Sequence, residues 1–253
     1  MVGESMLFRF DTGLSSDRGC MRDHNEDSAL ALENAGIWAV ADGMGGHEAG
    51  DVASRIVVEE LGSVGMAVSA HDLGARVAQR LERAHQRILT ESDQRGGTTM
   101  GATVAVLSIF EEGCGCTWAG DSRIYLLRAN RVRRLTSDHS EVQGMIDAGT
   151  LTEDEARHSP RRNVITRAIG ITAVDGPETV TGMVEAGDTF LICSDGLTEH
   201  IDDAELPGLL NVGDAQAMSD RLIAVTLDRG ARDNVTAVVV RCLPPAADPG
   251  GQA

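Results

Sequence analysis

The sequence predicts an α+β sandwich, β-sheets covered by amphipathic helices, on three observations. Strand-like runs recur and end in turn signals. Helical stripes lie between groups of those runs. Several runs are apolar at consecutive positions, the pattern of strands buried on both faces.

The strand candidates are Ser28–Leu32, Ile37–Ala41, Thr103–Phe110, Cys116–Arg128, Thr189–Cys193 and Val235–Cys242. Glu111-Glu112-Gly113 joins two of them as a hairpin turn. The first helix is expected over Ala49–Leu61, with Ala53, Ile56, Val57 and Leu61 on one stripe. The second covers Leu73–Thr90 through Val77, Leu81, Ala84 and Ile88, with Asp72 as its N-cap. Ser140–Ala148 follows and stops at Gly149, and Thr152 with Glu155 spells a capping box for a short helix. Ala215–Leu227 is the last, through Met218, Leu222 and Val225, ending at Gly230. Residues 8–243 read as a single domain. The Pro- and Gly-rich stretch 244–253 reads as a disordered tail.

Composition narrows the function. With 42% hydrophobic and 24% charged residues the chain reads as an ordinary soluble protein, and 3% aromatics leave the core to Val, Leu, Ile, Ala and Met. The net charge of −17 argues against nucleic acid and against an anionic membrane as partners, since both call for a basic face. Five cysteines without framework spacing suit a reducing, cytoplasmic compartment. Cys114-Gly-Cys116 has no second ligand pair for zinc. Met1–Phe10 is too short and charged for a signal peptide, and no apolar run approaches a membrane span.

The informative acids stand at strand ends. Asp42 follows Ile37–Ala41, Asp195 follows Phe190–Ser194, Asp233 precedes Asn234–Val240, and Asp27 opens Ser28–Leu32. Asp121 is expected inside the long strand Cys116–Arg128. An acid in such surroundings is costly unless paired or bound to metal. Few lysines or arginines stand at the same strand ends. Oxygen ligands without histidine or thiolate point to Mg²⁺ or Mn²⁺. Taken singly each acid is also an ordinary turn residue; the joint pattern is what carries weight. Asp42-Gly43-Met44-Gly45-Gly46 and Asp195-Gly196 repeat a strand–acid–glycine arrangement in which backbone can approach an ion.

Five stretches occur in order: Ser16-Asp17-Arg18-Gly19 with Arg22 and Asn25-Glu26-Asp27; Ala41-Asp42-Gly43-Met44-Gly45-Gly46-His47; Gly120-Asp121-Ser122-Arg123; Ser194-Asp195-Gly196; and Asp233-Asn234-Val235-Thr236. Together they resemble the type 2C, or PPM, family of metal-dependent protein phosphatases in its bacterial form, over residues 10 to 243. The resemblance implies a four-layer αββα sandwich, with two mainly antiparallel sheets packed face to face and helices outside. It implies hydrolysis of phosphoserine and phosphothreonine in proteins by a metal-activated water, reversing a Ser/Thr kinase. Asp42 would bridge two ions, and Asp195 and Asp233 would hold one of them. The Gly43 carbonyl would hold the other, with Glu26 and Asp27 supporting the cluster. Asp121, with Asp195, matches the acid for a third and weaker ion.

Arg22 matches the arginine that grips the substrate phosphate. His47 is the candidate general acid, with metal-bound water as competing proton donor, because the eukaryotic form carries its histidine where this chain has Met44. The 137–170 segment resembles the family's mobile flap, and its Arg161, Arg162 and Arg167 are candidate contacts for an acidic phosphopeptide, Arg161 above all. Within the family, residues 117–128 and 162–170 resemble the soluble phosphatases associated with type VI secretion, whose partners include a Ser/Thr kinase and a forkhead-associated protein. A monomer is expected. The reading from a different class is a catalytically inactive binding or sensing module, which the retained acids oppose. A two-metal nuclease is disfavoured by charge.

Overall fold

The computed structural model describes residues 7–45, 49–171 and 176–245. In chain order the first half holds β1 (Arg9–Asp17), β2 (Asp27–Leu32), β3 (Ile37–Gly45), α1 (Ala49–Gly62) and α2 (Ala70–Gln94). Then come β4 (Met100–Ala102), β5 (Val104–Phe110), β6 (Gly113–Ala119), β7 (Arg123–Arg128) and β8 (Arg131–Arg134). Two short helices, α3 (Glu141–Asp147) and α4 (Glu153–Arg157), precede β9 (Glu178–Met183) and β10 (Thr189–Cys193). The chain closes with α5 (Asp195–Thr198), α6 (Leu206–Leu209), α7 (Ala215–Asp228) and β11 (Val235–Leu243).

The strands form two antiparallel sheets, ordered β1-β11-β10-β7-β8 and β2-β3-β5-β6-β9, with β4 paired to β3. Side-chain alternation explains the four layers. On β3, Trp38 and Val40 face the layer between the sheets, where they meet Leu107, Phe190, Ile192, Val238 and Val240. Ile37, Ala39 and Ala41 face the other way, onto α1 and α2 through Val57, Leu61, Leu81 and Ile88. On β10 and β11, Leu191, Cys193, Ala237 and Val239 face α5–α7 through Leu197, Met218 and Leu222. Both sheets are therefore covered twice, which is why their central strands are apolar throughout. Each large side chain so buried stabilises the fold by about 1.5–3 kcal/mol.

Two expectations need correction. The single strand over Cys116–Arg128 is divided at Gly120-Asp121-Ser122: β6 belongs to one sheet and β7 to the other. Gly120 makes the crossover, with φ +111 and no room for a Cβ, which would lie 2.6 Å from Thr103 Cβ. Asp121 is thus a corner residue, not one inside a strand. The α2 cap is Ser69, whose hydroxyl accepts from Asp72 N. The Asp72 carboxylate accepts from Val68 N, so it closes the cap from inside the helix. The Thr152–Glu155 capping box forms as expected. Part of the expected tail, residues 246–253, lies outside the described residues.

Candidate active site

Strand direction brings the acids to one end of the sandwich. β2 and β3 are antiparallel, so the start of one meets the end of the other, and Asp27 pairs directly with Asp42. Cys193 pairs with Arg123 and with Ala237, so the end of β10, the start of β7 and the start of β11 share that end. Asp195, Asp121 and Asp233 lie beside those positions. Small residues permit the approach: a Cβ on Gly196 would lie 2.0 Å from Asn234 O. One on Gly43 would lie 2.0 Å from Gly50 O, and one on Gly50 would lie 2.8 Å from the Glu26 carboxylate. Only glycine lets the loop before β2, the end of β3 and the start of α1 touch here.

Asp121 is buried, while Asp27, Asp42, Asp195 and Asp233 keep some contact with solvent. Burial nevertheless is the largest cause of raised pKa values: Asp27 and Asp121 are each pushed up to about 6. Asp42 is held well above the usual carboxylate range by burial and then by Asp27, Asp195, Asp121 and Asp233. Asp195 is raised by burial, then by Asp121, Asp233, Glu199 and Asp27. Glu26 is raised by burial, and Asp233 and Asp51 add repulsion. Carboxylates that repel one another at one end of a fold want a cation.

Hydroxyls support the cluster from beneath. Ser194 Oγ donates to Asp27 Oδ2 at 2.7 Å and accepts from Thr236 N at 3.0 Å. Asp42 N donates to Thr103 Oγ1 at 3.2 Å, and Thr103 bonds Ser122 at 2.7 Å. Yet Asp27 Oδ1, Asp121 Oδ1 and Asp195 Oδ1 are buried with no hydrogen-bond partner. Orphaned buried oxygens on acids are a measurable fit to a hard cation. Among the described residues no three His, Cys, Asp or Glu side chains form a closed metal cage by themselves. A cation here would therefore draw part of its shell from carbonyls and water, as Mg²⁺ and Mn²⁺ commonly do.

The 18–26 loop is tied to the start of β11. The Asn234 amide donates to Arg18 O and His24 O, each at 2.9 Å, and its Oδ1 accepts from Glu26 N at 2.8 Å. This loop presents Arg22, whose Nη2 donates to Asp233 Oδ2 at 2.6 Å. Asp233 Oδ1 meanwhile accepts from Asn234 N. Arg22 remains half-exposed, with most of its five donors free to meet an oxyanion.

The other expected residues are distributed as follows. His47 lies outside the described residues. Arg161 pairs with Glu141, Arg162 with Glu199 at 3.3 Å, and Arg167 with Glu178 at 2.8 Å, so these three arginines are engaged within the fold. The 137–170 segment is fastened at its C-terminal end: Ala102 and Ile169 exchange backbone bonds, and Ala102 pairs with Gly43. Sequence reasoning missed Ser194, Thr103, Thr236, Asn234 and Glu199. Ser194, Asn234 and Thr236 stand within the motifs that named their acidic neighbours, which was the available signal. A cavity of about 250 Å³ lies elsewhere, between α2 and β6, and is lined by Leu81, His85 and Thr117 and by none of the five aspartates.

Face-packed antiparallel sheets between helices, with repelling carboxylates and an arginine at one end, define a cation-binding sandwich suited to phosphate. Comparison with known proteins agrees. A family model described as Protein phosphatase 2C matches residues 22–237, and the chain belongs to that family. Serine/threonine protein phosphatase PstP of Mycobacterium tuberculosis is 36% identical over 228 residues, 88% of this chain. The chain spans only 43% of that relative's length. Serine/threonine phosphatase stp of Listeria welshimeri is 32% identical over 237 residues, covering 89% of this chain and 93% of the relative.

Among solved structures, PppA, a key regulatory component of type VI secretion in Pseudomonas aeruginosa, superposes with a TM-score of 0.86 at 38% identity. It covers 92% of this chain and 98% of that one. The catalytic domain of PstP in complex with two manganese ions gives 0.85 at 33% identity, covering 93% and 99%. Among the described residues no helix is long and apolar enough to cross a membrane.

Proposed function

We propose that this chain removes phosphate from phosphoserine and phosphothreonine in proteins, in a reaction that depends on Mn²⁺ or Mg²⁺. The observation that carries the reading is the convergence of Asp27, Asp42, Asp121, Asp195 and Asp233, three of them with a buried, unpartnered oxygen. Divalent ions bound there supply an activated water and neutralise the phosphoryl charge. Asp42, central to the repulsion, would hold the ions together with Asp195, Asp233, Asp27, Glu26 and the Gly43 carbonyl, and Asp121 with Asp195 would hold a further, weaker one.

The residues themselves do the positioning. Arg22, anchored on Asp233, presents its remaining donors to the phosphate oxygens, where a planar fork binds them in fixed orientation. Ser194, itself held by Thr236 N–H, anchors Asp27 through one oxygen, so that its free oxygen points one way. His47 is the candidate proton donor to the leaving hydroxyl. Arg161 is a weak substrate contact, since a phosphopeptide must first compete with Glu141.

The PppA likeness supports a role in type VI secretion signalling; a Ser/Thr kinase and a forkhead-associated protein are the partners that this reading carries with it. Free cysteines throughout the described residues support a cytoplasmic setting, and the net charge of −17 supports neither nucleic acid nor membrane as partner. An inactive binding module finds no support among relatives named as phosphatases. The test is hydrolysis of p-nitrophenyl phosphate and of a phosphothreonine peptide with Mn²⁺, with and without chelator. Activity with Mn²⁺ that disappears in a folded Asp42→Asn variant is expected. No turnover in any divalent metal would remove the proposal.

A further inference from the structure

The junction around His139 takes no part in the chemistry just proposed, yet two hydrogen bonds tie it to Gly120, the residue before Asp121. His139 is 8% exposed. Its N–H donates to Gly120 O at 2.9 Å, and Gly120 N–H donates back to its ring Nδ1 at 3.2 Å. Its carbonyl accepts from Thr166 N at 2.8 Å. The ring stacks on Trp118 with centroids 5.6 Å apart, and the Trp118 indole N–H donates to Ser137 O at 2.7 Å. An Nδ1 that accepts must be unprotonated, so the proton sits on Nε2, which faces Glu178 Oε1 at 3.3 Å.

Gly120 is the residue before Asp121, and it turns the chain from one sheet to the other at φ +111. A glycine at that angle is held by its hydrogen bonds and not by its own sterics. Removing the acceptor would leave a buried N–H unsatisfied and the corner held to this segment only by the His139 N–H bond to Gly120 O, which loosens the aim of the Asp121 carboxylate. Asp121 has a buried, unpartnered Oδ1, so its aim matters for whatever it binds.

We propose that His139 is a positioning residue for Asp121: its Nδ1 and backbone N–H fix the crossover turn, and its carbonyl holds His139 in place by accepting from Thr166 within the same 137–170 segment. This rests on the reading of Asp121 as a cation ligand. Outer-shell partners of metal ligands are worth about 10–100-fold in affinity or activity. His139→Ala is therefore expected to weaken the weakest Mn²⁺ binding event roughly tenfold, read by calorimetric titration, with kcat falling and KM for p-nitrophenyl phosphate little changed. His139→Asn, whose Oδ1 can replace Nδ1 as acceptor, recovers most of both.

An alanine variant with unaltered Mn²⁺ titration and kcat would overturn the proposal, as would an asparagine variant as impaired as the alanine one. Should the alanine variant fail to fold, nitrogen NMR of the wild-type imidazole decides: an Nε2–H tautomer supports the assignment, an Nδ1–H tautomer overturns it. Asp121→Asn separates the two levels. If it leaves the weak Mn²⁺ event untouched, the cation role of Asp121 has failed, whatever His139 does.

Discussion

Single residues divide here into those that bear charge and those that hold the charge in place. Asp42→Asn removes the acid that most others press against, so catalysis should fall by at least about a hundredfold, the scale of losing one preorganised electrostatic group. The same change relieves repulsion, so in chelator the variant should melt above the wild type by calorimetry. Asn234→Ala cuts three bonds to the 18–26 loop and leaves part-buried backbone groups without these partners, costing about 1 kcal/mol in urea unfolding. KM should rise with it, because Arg22 rides on that loop. His139 adds a pH dependence. Burial, with help from Arg167, lowers its pKa from the ordinary 6.5, against Glu178 and Asp138, which raise it. The unfolded chain therefore takes up a proton before the native one does, and stability falls as pH drops below about 6.5 toward the folded value. Between pH 7 and 5 the wild type should lose more unfolding free energy than His139→Asn. The acids were legible in the sequence because each interrupts an apolar run. Ser194, Thr103 and Asn234 were not, because a buried hydroxyl or amide looks like any turn residue until its partner, up to 216 positions away, is folded against it.

At the scale of elements, most strands read from sequence have two covered faces; β2, a sheet edge with no buried residue, is the exception. β10 matched residue for residue, and β3 and β11 matched over their apolar lengths. β1, β8 and β9 were not anticipated, and all three are sheet edges. β8 carries three arginines in four residues, and β9 is exposed along its length. Such strands are specified by the neighbour they pair with and not by burial of their own side chains. The break in Cys116–Arg128 was hidden for a related reason: Gly-Asp-Ser can sit in a strand until two sheets compete for its halves. The glycine contacts can be tested directly. Gly196→Ala would force a methyl group against Asn234 O, which lies 2.0 Å from the Cβ position. Backbone must shift, at about 1–3 kcal/mol, and the shift separates Asp195 from Asp233. Activity should therefore fall further than the melting temperature implies, with the Mn²⁺ requirement rising. A variant that loses stability and activity in proportion would show that the contact only packs.

For the whole molecule, a net charge of −17 and a carboxylate cluster at one end make opposite demands on salt. General self-repulsion is screened by any electrolyte, whereas repulsion among half-buried acids is screened poorly by bulk ions and well by a cation bound between them. Mn²⁺ at 100 times its dissociation constant should stabilise the fold by about 2.7 kcal/mol, and chelator should remove that gain. Sodium chloride at matched ionic strength should not reproduce it. In Asp42→Asn the Mn²⁺ increment should shrink while the sodium chloride response stays as in the wild type, because only the first depends on the cluster. Melting curves of both proteins in chelator, Mn²⁺ and matched salt provide the comparison. If salt alone matched Mn²⁺ in the wild type, the acids at the end of the sandwich would be ordinary surface charge. The convergence built by β2, β3, β7, β10 and β11 would then have no ion to explain it.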